Sequence, residues 1–96
     1  MRIRFLEIAQ IELYEAIEYY NYGVSGLGEA FLSEVLNVLD RIGKYPEAWP
    51  SCSKRTRRTQ TRRFPYGIMY QIRKDEILIV AIAHLHRKPD YWKDRI

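Results

Sequence analysis

Two arginines run into an aromatic-Pro-aromatic step in RRFPYGIMY (62–70), and KRTRRTQT (54–61) just upstream adds four cations and no acid. Guanidinium groups hold carboxylates and phosphates through paired N–H donors. They also stabilise charge that develops on a phosphate during transfer. Further along, HLHR (84–87) sets His84 and His86 two residues apart beside Arg87, with Lys88 next. Histidine titrates near neutrality, so the pair suits proton transfer. Two histidines on one strand face are also half of a metal site, but zinc needs three or four ligands. No Cys, Asp or third His is spaced to complete the set, so no metal and no cofactor is expected. Tyr70 reads as a core tyrosine with a wet hydroxyl. PDYW (89–92) offers exposed aromatics, Trp92 among them, beside cations, a pairing that suits stacking on bases. Cys52 has no second Cys or His near it and reads as an unreactive loop thiol.

The elements that must position these groups follow from periodicity. RIRF (2–5) alternates as a short strand does. Ala9, Leu13, Ala16, Ile17 and Tyr20 form one helical stripe, with Glu12, Glu15 and Glu18 off it and facing water. YNYGVSG (20–26) stops that helix and starts another. The second stripe runs Leu27, Phe31, Val35, Val38 or Leu39, and Ile42, with Gly43 and Pro46 ending it. After a loop over 44–53 the period changes to two. Residues 55–63 read as a strand with Arg55, Arg57 and Arg63 on one side and Arg58 and Arg62 on the other. So many guanidiniums cannot be buried unpaired, so this is an edge strand whose charges also keep other chains from pairing with it. Ile68, Tyr70 and Ile72 share a face of the next strand, RKDE (73–76) turns, and 77–86 is apolar on both faces, as a central strand is. His84 and His86 would project from the face of Leu78, Val80 and Ile82. RKPDYWKDRI makes a short helix or turn. The expected fold is α+β, order β-α-α-β-β-β: a mostly antiparallel sheet of about four strands with an N-terminal two-helix hairpin on one face.

A chain of 96 residues suits one domain, 1–96, and 47% hydrophobic with 29% charged residues is a globular balance. No apolar run approaches the roughly 20 residues a membrane span needs. The N-terminus lacks a secretory stretch, and a single cysteine fits a reducing compartment, so a cytoplasmic protein is expected. The net charge of +4 conceals segregation: from Phe5 to Asp40 there are seven acids and no Lys or Arg, and after Arg41 the balance reverses. A basic side attracts a polyanion or an acidic protein segment.

Taken together, IELYEAIEYY, GLGEAFLSEVLNVLDRIGKYPEAWP, RRFPYGIMYQI and ILIVAIAHLHRKPDYW resemble the RelE/ParE superfamily of bacterial toxins over about residues 9–92. The most specific pieces are Tyr19-Tyr20, Gly26-Leu27-Gly28, Pro46, Phe64-Pro65-Tyr66 and the His-x-x-Arg-x-Pro-x-x-Trp-like ending. The resemblance implies the toxin of a type II toxin–antitoxin pair, held inactive in an oligomeric complex by a cognate antitoxin whose extended, often acidic, segment wraps around it. In that setting Lys54, Arg55, Arg57, Arg58, Arg62, Lys88 and Trp92 would bind the antitoxin or the target. RelE-like members cut mRNA on the ribosome, and ParE-like members poison DNA gyrase. If this chain were a nuclease, Arg62, Arg63 or Arg87 would stabilise the phosphate, and Tyr70, His84 or His86 would move a proton. The chain lacks the terminal Tyr and the mid-chain Glu of the nucleases, and FPYGIMY with HRKPDYW resembles the ParE-type plasmid-stabilisation branch. Gyrase inhibition is therefore expected, with mRNA cleavage and plain nucleic-acid binding as the alternatives.

Overall fold

The computed structural model describes residues 1–96. Strand β1 (Arg2–Phe5) leads into helix α1 (Glu7–Gly23) and helix α2 (Leu27–Lys44), followed by β2 (Arg57–Gln60), β3 (Tyr66–Ile72) and β4 (Glu76–His84). A 3-10 turn over Lys93–Arg95 closes the chain. The sheet order is β1-β4-β3-β2; β4 pairs parallel with β1 and antiparallel with β3, and β3 pairs antiparallel with β2. The expected α+β arrangement is therefore present, with β2 at one edge and β4 inside.

The helical hairpin turns on glycine. Gly26 has φ +86°, a conformation that costs glycine little. Gly28 is buried where a Cβ would run into the Ile17 carbonyl and lie 2.7 Å from the Asn21 side chain. Its N–H instead donates to Asn21 Oδ1 at 2.7 Å, so α1 supplies the cap for the first turn of α2. Gly43 lies inside α2 rather than ending it, and Tyr45, just before Pro46, forms the C-cap. That α2 runs two residues past the expected stop shows packing overriding a weak local signal.

Both helices bury their stripes on one face of the sheet. Leu13, Phe31, Val35, Ile42, Ile68, Tyr70, Ile77, Ile79 and Ile82 belong to that core. The opposite face is smaller: Met69, Val80, Ala81 and Ala83 pack with Trp92 of the C-terminal segment. Here the simple alternation fails. Met69 pairs with Ala81 and Tyr70 with Ile79, leaving Val80 as an extra residue in β4. This bulge puts Val80 and Ala81 on the same side and returns Ile82 to the helix side. His84, two residues beyond Ile82, therefore does not share a face with Val80, contrary to the uninterrupted period-two reading. Ile72 at the end of β3 is 37% exposed, so it does not complete the buried row of Ile68 and Tyr70. No helix is long and apolar enough to cross a membrane.

Candidate functional site

The basic segment is a strand for only four of its expected nine residues, Arg57–Gln60. Lys54 and Arg55 precede it in a bend, and Arg62 and Arg63 follow it in a loop; all four are exposed. Buried Thr56, Thr59 and Thr61 decide the register, and the arginines are left to the other positions. Arg57 reaches back along the edge, donating from Nη1 to the carbonyls of Trp49 (2.6 Å) and Glu47 (3.2 Å). It holds the loop before β2 in place, and Arg58 on the opposite face stays exposed. Glu34 of α2 gathers the other end: its Oε1 accepts the N–H groups of Arg62 (2.8 Å) and Arg63 (3.1 Å), and its Oε2 accepts Arg63 Nε (2.7 Å). Burial alone would push the Glu34 carboxyl up, but these bonds outweigh it and hold it below the usual range.

Tyr70 is fully buried, and its hydroxyl donates to the Pro46 carbonyl at 2.6 Å rather than meeting water. Burial pushes this phenol up, against a smaller opposite effect of Arg57. Trp92 is 4% exposed and packs under the sheet, so the aromatic surface expected of it is spent on the second core. Tyr91, its neighbour, is half-buried, and Arg87 lies over its ring with 4.0 Å from guanidinium carbon to centroid.

His84 ends β4 and His86 lies beyond it in the turn, so the two do not alternate along one strand. They meet edge to face, with ring centroids 5.2 Å apart, and the His86 backbone N–H donates to His84 Nδ1 at 3.1 Å. In the neutral ring this leaves the proton on Nε2. The other edge of His84 meets Tyr66, at 5.2 Å between centroids. No group of three or more His, Cys, Asp or Glu side chains is placed to hold a metal ion.

The residue that organises this end of the molecule is Glu12, which the helical stripe had assigned to water. Its side chain is only 9% exposed. Oε1 accepts Ile82 N–H (3.0 Å) and Arg95 Nη1 (2.9 Å), and Oε2 accepts Tyr91 O–H (2.7 Å) and Arg95 Nη2 (2.7 Å). Arg87 Nη1 stands 4.0 Å away. Burial would raise this carboxyl, but the bonds from Arg95, Tyr91 and Ile82 hold it below its ordinary value. Burial and the Glu12 carboxylate together push Tyr91 up to about 12. The sequence signal for Glu12 was faint. It lies one position from buried Leu13, and its partners are up to 83 residues distant.

The candidates therefore divide. Arg58, His84, Arg87 and Lys88 line one cleft beside β4, floored by Met69 and Trp92. Arg62, Arg63 and Tyr70 stand elsewhere: the first two in the loop clamped by Glu34, the third inside the helix-side core. Arg55 and Lys54 border a separate hollow near Lys93.

No curated protein sequence matches the chain. Among solved structures, a chromosomal ParDE TA system from P. aeruginosa contains a chain that superposes with a TM-score of 0.67. The two are 17% identical, and the match covers 90% of this chain and 97% of that one. At that identity the likeness is one of fold. Residues 3–89, nearly the whole sheet and both helices, match the model of the ParE toxin of type II toxin–antitoxin systems, parDE. The chain belongs to the ParE toxin family.

Proposed function

We propose that the chain is the toxin of a type II toxin–antitoxin pair, neutralised by a cognate antitoxin, and that it acts by inhibiting DNA gyrase rather than by cutting RNA. One observation carries the choice of target. Two of the groups a nuclease would need in one place are held elsewhere and already engaged, Arg63 by Glu34 and Tyr70 by the Pro46 carbonyl, away from the cleft that His84 and Arg87 share. A general acid or base must come within hydrogen-bond reach of the proton it moves, and a buried phenol does not. The toxin on this reading is a binding protein whose exposed cations, Lys54, Arg55, Arg58, Arg62 and Lys88, are available to an acidic antitoxin segment or to the target. Purified chain added to gyrase with relaxed plasmid and ATP is expected to stop supercoiling and to accumulate cleaved DNA. Unchanged supercoiling at large molar excess, with gyrase active in the control, would overturn the reading.

A second reading is kept alive by the shared cleft of Arg58, His84, Arg87 and Lys88, where cations surround a histidine. It predicts ribosome-dependent mRNA cleavage that is lost in His84→Ala and Arg87→Ala. Cleavage surviving in both variants would dispose of it.

A further inference from the structure

The segment before β2 and the C-terminal segment enclose a hollow of ≈ 210 Å³ beside Trp92. Lys54, Arg55 and Lys93 line it, and no Asp or Glu does. Lys54 and Arg55 are exposed and have no carboxylate partner. Lys93 pairs with Asp90 at 3.3 Å, but both side chains are about half exposed, and such a pair contributes little. Ile96 also lines the hollow, and its terminal carboxylate forms no ion pair with any of the three cations.

Two buried polar residues line the same hollow: Thr56 is 3% exposed and Gln71 6%. Arg73 decides which way the Gln71 amide is turned, because its Nε donates to Gln71 Oε1 at 3.0 Å. Gln71 Nε2 then donates one of its two N–H groups to Thr56 Oγ1 at 3.1 Å. The second N–H meets no acceptor in the chain. Thr56 Oγ1 has accepted a bond but still carries its own proton, and that proton meets no acceptor either. Buried donors left unmade are costly. A water molecule would satisfy the two donors, but it would do nothing for the three like charges gathered round them. An anion answers both. A carboxylate brings one charge, whereas a terminal phosphate brings close to two charges and three acceptor oxygens. A phosphodiester inside a strand has one charge and must leave the hollow at both ends, so it fits less well.

We propose that this hollow binds a terminal phosphate, either the free ion or the monoester end of a small molecule. Thr56 O–H and the spare Gln71 N–H donate to its oxygens, and Lys54, Arg55 and Lys93 balance its charge. The site shares only Trp92 with the cleft of Arg58, His84, Arg87 and Lys88. It goes beyond gyrase inhibition and does not depend on it: supercoiling inhibition can be present or absent with the site intact.

The test is isothermal titration of the full chain with inorganic phosphate, with ionic strength held constant by chloride. Methyl phosphate, dimethyl phosphate and acetate complete the series. Phosphate is expected to bind saturably at one site, with dimethyl phosphate and acetate about tenfold weaker or more. Methyl phosphate separates the two sources: affinity equal to that of phosphate admits a monoester, and weaker binding assigns the free ion, and either supports the site. Arg55→Ala should weaken phosphate binding about tenfold, as the loss of one charge-assisted bond does. Arg41→Ala, which removes an exposed cation of α2 outside the hollow, should change nothing. Thr56→Ser keeps the hydroxyl and should keep the affinity, and Thr56→Val should lose about tenfold. Thermal unfolding of each variant keeps a folding defect from passing as lost affinity. Should Thr56→Val fail to fold, Arg55→Ala and the ligand series still decide. Absence of saturable phosphate binding would overturn the proposal. So would acetate or dimethyl phosphate binding as tightly as phosphate, an unchanged Arg55→Ala, or an equal loss in Arg41→Ala.

Discussion

Glu12→Gln isolates one charge while keeping the size of the side chain. Wild-type Glu12 accepts four bonds, two of them from Arg95, whose own side chain is only 15% exposed. A glutamine oxygen can still accept from the Ile82 N–H, but its amide then points donors at the Tyr91 hydroxyl and the guanidinium. Removing one partner of a fully buried ion pair costs about 3–5 kcal/mol. Arg95 keeps some water and its bond to the Val80 carbonyl at 3.0 Å, which brings the expected loss down to about 2 kcal/mol. For a domain of this size that lowers Tm by roughly 8–16 °C. Urea unfolding followed by circular dichroism measures the loss directly. The double variant with Arg95→Met supplies the cross-check, since removing both charges should cost less than the sum of the single changes by about 1 kcal/mol or more. The pH dependence is also fixed in sign. The folded carboxyl lies below its ordinary value, so its stabilisation is complete above the usual carboxylate range and is lost as pH falls through the lowered one. The gap between wild type and Glu12→Gln should therefore narrow in acid. A variant within about 0.5 kcal/mol of wild type, or strict additivity with Arg95→Met, would refute the reasoning.

Other changes give equally definite expectations. Gly28→Ala should cost about 1–3 kcal/mol in thermal or urea unfolding, because its Cβ would press on the Ile17 carbonyl, which cannot move without disturbing α1. Tyr70→Phe should cost about 1–2 kcal/mol, since the Pro46 carbonyl loses its only side-chain donor at a buried site, yet it should leave toxicity unchanged if the phenol does no chemistry. Glu76, held at about 2 by hydrogen bonds from Arg4 and then Arg2, contributes stability that disappears as pH falls from about 4.5 towards about 2. Glu76→Gln should flatten that part of an acid-unfolding curve, and an unaltered curve would show that the β1–β4 ion pairs are too well solvated to matter.

How far the sequence could be read depended on whether a signal was local. Phe31, Val35, Val38, Leu39 and Ile42 announce α2 by spacing alone, and all five are buried. The Val80 bulge left no trace, because an unbroken apolar run has no alternation in which a skipped residue would show. That one residue decides which face His84 occupies, so the histidine geometry was out of reach. The strand over 55–63 was overextended because threonine and arginine suit any exposed extended chain, whereas only pairing with Tyr70 through Gly67 makes four of those residues β2. Trp92 read as exposed because its cover, the second face of the sheet, is assembled from four separate segments. Glu12 was misassigned for a related reason. A helical wheel reports which face of α1 meets α2 and the sheet, but not that the C-terminal segment returns to cover a third side of the helix.

The charge segregation along the chain has a folding explanation before it has a functional one. Three carboxylates collect cations from distant segments: Glu12 takes Arg95, Glu34 takes Arg63, and Glu76 takes Arg2 and Arg4. Two of these acids come from the cation-free stretch and find their partners in the basic half, so the segregated halves are sewn to each other. Each pair also closes a loop of the chain, which ties the C-terminal segment to α1 and the loop after β2 to α2. Part of the arginine of the second half, Arg63 and Arg95 with Arg87 beside them, is thereby taken up by the first. What remains after that accounting is Arg41, Lys54, Arg55, Arg58, Arg62, Lys74 and Lys88, exposed and without a carboxylate partner. Their charge carries no structural duty. It is therefore this remainder, and not the net charge of +4, that measures how strongly the surface can draw an acidic segment or a phosphate chain.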